Sequence, residues 1–267
     1  MSGLDNHVAV VTGTSPNIGG TLAAGLAKNG ARVVCTDISH DVARASVERI
    51  NAAGGEAVAV VGDVTDPAHA EDAMRVALER WGRVDILVNN AVYFDQRGLL
   101  DMPVEAYRRQ VDIILGGGFL FSRAAARAMI AGGRGGSIIN VLSTAAWQGQ
   151  PGNIGYSTAK SGMINFTRSA AMELAEHGIR VNGFTPTATQ PQDPEIVRQV
   201  GQLARVEGTF PMDFAGQMPM SRLPSPDDYV GAVVFLAGSD SSMITGSNIT
   251  VDGGATAKYW PWIPERA

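Results

Sequence analysis

The sequence predicts an α/β fold, a single domain built on a doubly wound parallel sheet. Three observations carry this prediction. Short apolar runs alternate with amphipathic helical patterns from end to end. Glycines, 32 in all, sit beside many of those runs, where strands must turn into helices. No repeat or linker divides the 267 residues, and 45% hydrophobic content suffices for a substantial core.

The elements follow in order. His7 to Thr12 is an apolar run ending at Gly13, and an alanine-rich helical pattern covers about Asn17 to Asn29. Ala31 to Thr36 is the second run, ending in Asp37; Val42 to Ala53 then reads as a helix closed by Gly54 and Gly55. Ala57 to Val61 leads to Gly62-Asp63-Val64, and Asp66-Pro67 has the form of an N-cap with proline in the first turn, opening a helix to about Trp81. Val84 to Val88 precedes Asn89-Asn90-Ala91. Pro103 opens a long helix to about Ile130, interrupted in composition by Gly116-Gly117-Gly118. Ser137 to Leu142 is the fifth strand, Asn153 to His177 a proline-free helix, and Ile179 to Phe184 the sixth strand. Ser225-Pro226 caps a helix to about Ala237, and Asn248 to Val251 is the last strand.

Composition excludes several classes of function. The net charge is −5 and the basic residues are scattered, so no footprint for nucleic acid or an anionic membrane is present. A single cysteine, Cys35, leaves no internal disulfide, and four dispersed histidines offer no metal-ligand spacing. No signal-peptide pattern opens the chain and no apolar run reaches eighteen residues; a reduced, cytoplasmic setting is expected.

Two stretches carry chemistry. Thr12-Gly13-Thr14-Ser15-Pro16-Asn17-Ile18-Gly19 lies between a strand and a helix, where glycines let backbone approach a pyrophosphate and the helix N-terminus attracts its charge. Asp37, ending the second strand, is placed to accept both ribose hydroxyls of an adenosine and to repel a 2′-phosphate. Asp63 is similarly placed for an adenine amino group. The second stretch ends in Tyr156-Ser157-Thr158-Ala159-Lys160. Helical spacing puts Tyr156 and Lys160 on one face, and a neighbouring ammonium lowers a phenol toward neutral pH. Ser143, at the close of the fifth strand, can donate to a substrate carbonyl.

In these motifs the chain resembles the classical short-chain dehydrogenase/reductase family, over nearly its whole length. The glycine loop, Asp63, Asn89-Asn90-Ala91, Ser143 with Tyr156 and Lys160, Asn182 to Pro186, and Asp252-Gly253-Gly254 all stand in the family's order. The resemblance implies a Rossmann-like fold, with Tyr156 as general acid/base, Lys160 holding the nicotinamide ribose and Ser143 positioning the substrate oxygen. It implies that NAD is bound by Gly13, Ser15, Asn17, Ile18, Gly19, Asp37, Ile38, Asp63, Val64, Asn90, Ala91, Pro186 and Thr189, together with Tyr156 and Lys160. It also implies a homotetramer built partly on the helices around 103–130 and 153–177. Four positions depart from the family pattern. Asn17, Val92 and Thr187 replace glycines, and Ile114 replaces an asparagine that supports a proton relay through a backbone-held water. The triple glycine beyond Ile114 is expected to loosen the same helix.

The expected function is NAD-dependent interconversion of a secondary alcohol and a ketone, with no metal. A segment at about 190–220, with Phe210, Met212, Phe214 and Met218, is expected to form a substrate lid, and Trp147 an aromatic wall, suiting an apolar or cyclic substrate. The aromatic tail 259–267 is expected to dock on a subunit or beside the site. The alternatives are a cofactor-binding scaffold of the same fold, which Ile114 favours, and a 3-oxoacyl reductase, which the lack of a basic partner for a 2′-phosphate disfavours.

Overall fold

The computed structural model describes residues 3–191, 194, 197–198 and 213–259. Seven strands form one parallel sheet in the order β3-β2-β1-β4-β5-β6-β7. They are β1 (Val8–Thr12), β2 (Arg32–Asp37), β3 (Ala57–Val61), β4 (Ile86–Asn89), β5 (Gly136–Val141), β6 (Ile179–Pro186) and β7 (Asn248–Val251). Helices with described bounds are α1 (Ile18–Lys28), α2 (His40–Ala52), α3 (Pro67–Trp81), α4 (Val104–Val111), α5 (Gly117–Gly132), α6 (Ile154–Leu174) and α7 (Val230–Ala237). The expected Rossmann-like architecture is observed. Strand order reverses between β1 and β4, so a crevice opens there at the carboxyl ends of the strands.

Both faces of the sheet are covered, which is why the strands read as near-continuous apolar runs and not as alternation. Leu22, Leu26, Val33, Ile139, Phe184 and Tyr229 belong to the core on one side; Val34, Met74, Leu87, Phe121, Met129 and Ile138 belong to that on the other. Local chemistry sets the ends. Asp66 caps α3 by accepting from Ala68 N at 2.9 Å, and Gly82 closes it at φ 73°. Ser39 caps α2, so that helix starts at His40, two residues before the expected Val42. The segment opened by Ser225-Pro226 is first a 3₁₀ turn, Pro226–Tyr229, held by a capping box between Ser225 and Asp228, and only then α7.

The helix expected from Pro103 is one rod, Val104–Gly132, with a π turn at Asp112–Gly116 joining α4 to α5. The glycines after that turn serve close packing. A Cβ on Gly117 would lie 2.9 Å from the Val64 side chain, and one on Gly118 3.0 Å from Met163 Cε, and neither glycine has positive φ. Although charged residues break its apolar runs, the rod is long and apolar enough to cross a membrane by composition. Half of its most apolar stretch is buried inside the protein, as in a core helix.

Candidate active site

The carboxyl ends of β1, β4, β5 and β6 deliver the site. Gly13 follows β1 at φ 68°, where a Cβ would lie 2.8 Å from Ala91 Cα; a Cβ on Gly19 would lie 2.0 Å from Gly13 O. Both positions therefore exclude side chains. The left-handed demand falls on Gly13 and not on Asn17, whose φ is −119°. Asn90 Nδ2 donates to Thr12 O and Gly13 O at 3.1 and 2.7 Å, and Thr12 Oγ1 accepts from Asn90 N and Ala91 N. Thus Asn90 and Ala91 brace the glycine turn from β4. The first turn of α1 carries no acidic residue, leaving the helix N-terminus suited to an anion. Asn17 Oδ1 and Thr14 Oγ1 are buried there without a protein partner. A side-chain-free cradle, a helix terminus and the unmatched Thr14 hydroxyl, which can donate, fit a dinucleotide's pyrophosphate.

Asp37 ends β2, its Oδ1 accepting from Ser39 N at 3.0 Å; burial raises its carboxyl above the ordinary range, opposed by hydrogen bonds from Ser39, Thr14 and Ile38. Ile38 beside it is 64% exposed. Asp63 is committed within the protein. Arg109 of α4 donates to Oδ2, and Thr65 donates from both N and Oγ1 to Oδ1, so the carboxyl is held below its usual range despite desolvation. An adenine amino group at Asp63 would share an already paired carboxylate.

A cavity of about 270 Å³ joins this loop to the reactive side chains. Ser15, Asn17, Ile18, Gly19 and Asn90 wall it on one side; Ser143, Tyr156, Lys160, Pro186 and Thr189 face them. Among the expected site residues, Gly13, Asp37, Ile38, Asp63, Val64 and Ala91 do not line it. Ser143 caps the 3₁₀ turn Thr144–Ala146, and Ser161 Oγ donates to Ala146 O at 2.7 Å, which fastens α6 against that turn. Tyr156 and Lys160 are thereby both buried, at 8% and 2% exposure.

Their titration differs from the sequence expectation. Burial pushes the Tyr156 phenol up to about 12, with a hydrogen bond from Ser143 opposing it. Burial pulls the Lys160 ammonium down to about 7. The lysine does not lower the tyrosine in the protein alone, because its own ammonium is pulled down by burial and is largely neutral where the phenol titrates; its Nζ donates to Val141 O and stands 5.6 Å from the Tyr156 ring centroid.

Other side chains at the site had no clear sequence signal. Phe94 packs on Tyr156, and Asn153 lines the same cavity with a buried, unpartnered Oδ1. Thr189 hydrogen-bonds Tyr229 at 2.7 Å, and Tyr229 reaches Thr187 O, so the 3₁₀ turn that leads into α7 supports the strand-six loop. Arg49 lies beneath the glycine loop through Ser46, which donates to Thr14 O at 3.0 Å. The expected role of Trp147 is not observed. It lines a separate groove with Ile164 and Arg168, because the Thr144–Ala146 turn carries it away from the catalytic cavity. Phe214 lines the cavity; Met218 borders an adjoining cleft of about 390 Å³ with Gln148, Gln150, Thr256 and Lys258. Phe210 and Met212 of the lid, and the tail beyond Tyr259, lie outside the described residues. Among the described residues no cluster of metal-ligating side chains is present.

Comparison with known proteins agrees with this geometry. A family profile described as "Enoyl-(Acyl carrier protein) reductase" matches residues 13–256. Galactitol 2-dehydrogenase of Agrobacterium fabrum is 38% identical over 255 residues, covering 94% of this chain and 98% of the relative. An NAD+-bound xylitol dehydrogenase structure superposes with TM-score 0.85 at 32% identity, over 94% of this chain and 99% of that one. A gluconate 5-dehydrogenase of Burkholderia cenocepacia, in complex with NADP and tartrate, gives 0.83 at 29%, over 96% and 97%. Glycine loop, serine, tyrosine and lysine thus stand together on a fold shared along almost the entire length, and the chain belongs to the short-chain dehydrogenase/reductase family of oxidoreductases.

Proposed function

We propose that the protein is an NAD-dependent dehydrogenase that interconverts a secondary alcohol and a ketone on a polyhydroxylated or cyclic substrate of about monosaccharide size. The observation that carries this reading is the convergence of Ser143, Tyr156 and Lys160 on one wall of a cavity whose other wall is the glycine loop. A nicotinamide cofactor held between the glycine loop and Lys160 would supply hydride transfer to or from the substrate carbon, and its oxidised ring would add a positive charge that favours phenolate at Tyr156. Ser143 donates to the substrate oxygen and Tyr156 accepts the alcohol proton, or returns it in reduction. Phe94 and Phe214 shield this corner from water, which strengthens the polar contacts within it.

Asp37 supports NAD, since its carboxylate stands where a 2′-phosphate would be repelled. Support for a hydroxylated substrate comes from Gln96, Gln150, Asn153, Thr144 and Thr187 on the described wall, which share it with apolar side chains such as Val92, Phe94, Leu142 and Phe214. Relatives whose names specify galactitol and xylitol point the same way. A cyclic apolar substrate would rely more on the lid side chains outside the described residues. Assay of purified protein with NAD and a panel of polyols, sugars and cyclic alcohols tests the reading; turnover confined to NADP would sink its cofactor half.

The proposal extends to a cytoplasmic homotetramer assembled through the Val104–Gly132 rod and α6. Phe119 and Ile130 remain exposed on that rod, whereas Ala124, Ala125 and Ala126 are used inside the monomer. Light scattering on the purified protein checks the assembly state.

A further inference from the structure

Residues 92–97 follow β4 and reach the catalytic cavity, with Phe94 packed on Tyr156 and Gln96 on the cavity wall. The segment belongs to no helix or strand, and among the described residues its backbone pairs with no other backbone. Side chains must therefore hold it. One fixture is internal: Asp95, buried, accepts from Arg97 N at 3.2 Å and Arg97 Nε at 2.8 Å, and takes a further bond from Arg97 Nη2. The other comes from α4. Asp95 N donates to Gln110 Oε1 at 3.3 Å, and among the described residues this is the one hydrogen bond that joins the segment to a helix.

Gln110 is fully buried and does not line the cavity. Its bond from Asp95 N settles which way the amide points, since a flipped amide would set one N–H against another. Nε2 therefore turns to Met102 Sδ, at 3.8 Å, and to the first turn of α6. Gly155 stands there, directly before Tyr156. A Cβ on Gly155 would lie 2.5 Å from Gln110 Nε2 and 3.3 Å from Gln110 Cβ, so only a residue without a side chain lets the amide lie this close to α6. One amide thus meets the helix beside the phenol at one end and the segment carrying Phe94 and Gln96 at the other. We propose that Gln110 is a positioning residue that fixes where Phe94 and Gln96 stand relative to Tyr156, and thereby how well the site holds the alcohol. The inference rests on the dehydrogenase reading and names a residue that acts on substrate through two others. Without the amide oxygen, the buried N–H of Asp95 loses its acceptor, and the segment gains free energy by shifting toward water, which draws Phe94 off the phenol.

Two variants test this. Gln110→Met removes the acceptor at similar volume, and Gly155→Ala leaves Gln110 in the chain but displaces its amide while improving the helix propensity of α6. Hydrogen exchange on the cofactor-free protein reads the effect independently of any substrate. Peptides covering 92–97 should exchange roughly 10-fold faster in both variants, with β4 and α6 unchanged. Unchanged exchange in that segment, or a uniform rise across the whole protein, would give Gln110 a packing role only and overturn the proposal. The kinetic arm uses an alcohol that the wild type oxidises. Gln110→Met should raise KM roughly 2- to 10-fold with kcat within about twofold of wild type, and Phe94→Ala should then add clearly less to KM than it does in the wild type. Fully additive effects of Gln110→Met and Phe94→Ala would also overturn it. A wild type that oxidises no alcohol would remove the dehydrogenase reading instead, while exchange at 92–97 still decides what Gln110 holds in place.

Discussion

The ring of Phe94 lies 4.5 Å from that of Tyr156, centroid to centroid, tilted by 32°. Phe94 is 49% exposed, so one of its faces is open to whatever approaches the phenol. Phe94→Ala should raise KM roughly 2- to 10-fold, the value of about 0.5–1.5 kcal/mol of aromatic contact. Water admitted by the truncation should also relieve the burial that raises Tyr156, moving the rising limb of kcat/KM for alcohol oxidation to lower pH. An unchanged pH profile would show that Phe94 does not shield the phenol.

Asp37 should make NAD bind at least about tenfold more tightly than NADP, a difference of about 1.4 kcal/mol. Asp37→Ala should narrow that ratio mainly by improving NADP. Titration of both cofactors by intrinsic fluorescence measures it, and equal wild-type affinities would remove Asp37 from its assigned role.

Lys160 is pulled down to about 7 by burial, from an ordinary value of 10.5. Between those values the unfolded chain holds a proton that the cofactor-free folded protein lacks, so this group adds stability as pH rises from about 7 toward 10.5. Below pH 7 the folded state bears the cost of a buried ammonium. Lys160→Met, which removes the charge at similar volume, should therefore raise Tm more at pH 6 than at pH 9. Thermal melts of both proteins across that range check the sign, and a constant difference would mean that the lysine is not desolvated.

The strands, their doubly wound parallel arrangement and the candidate serine, tyrosine and lysine were legible in the sequence, because parallel strands buried on both faces leave apolar runs and the motifs sit at their ends. Three features were not. The π turn at Asp112–Gly116 leaves the apolar spacing nearly unchanged, and the glycines beside it read as loosening when Gly117 and Gly118 in fact admit Val64 and Met163. Which aromatic faces Tyr156 depends on the exit direction of the Thr144–Ala146 turn, which turns Trp147 out while the loop after β4 brings Phe94 in. The pairing of Asp63 with Arg109 joins residues 46 apart in sequence, a tertiary contact that local pattern does not encode.

The central claim is that Tyr156 performs proton transfer in an NAD-dependent alcohol oxidation. Its most direct test is initial-rate measurement with NAD over a broad panel of polyols, sugars and cyclic alcohols, for wild type, Tyr156→Phe and Ile114→Asn, following absorbance of the reduced cofactor. The account predicts wild-type turnover of at least one secondary alcohol, a loss of roughly 100- to 10,000-fold in Tyr156→Phe with NAD still bound, and only a modest change in Ile114→Asn. A wild type that binds NAD normally yet turns over nothing on the panel, with Ile114→Asn alone switching turnover on, would contradict it and leave a cofactor-binding scaffold in its place.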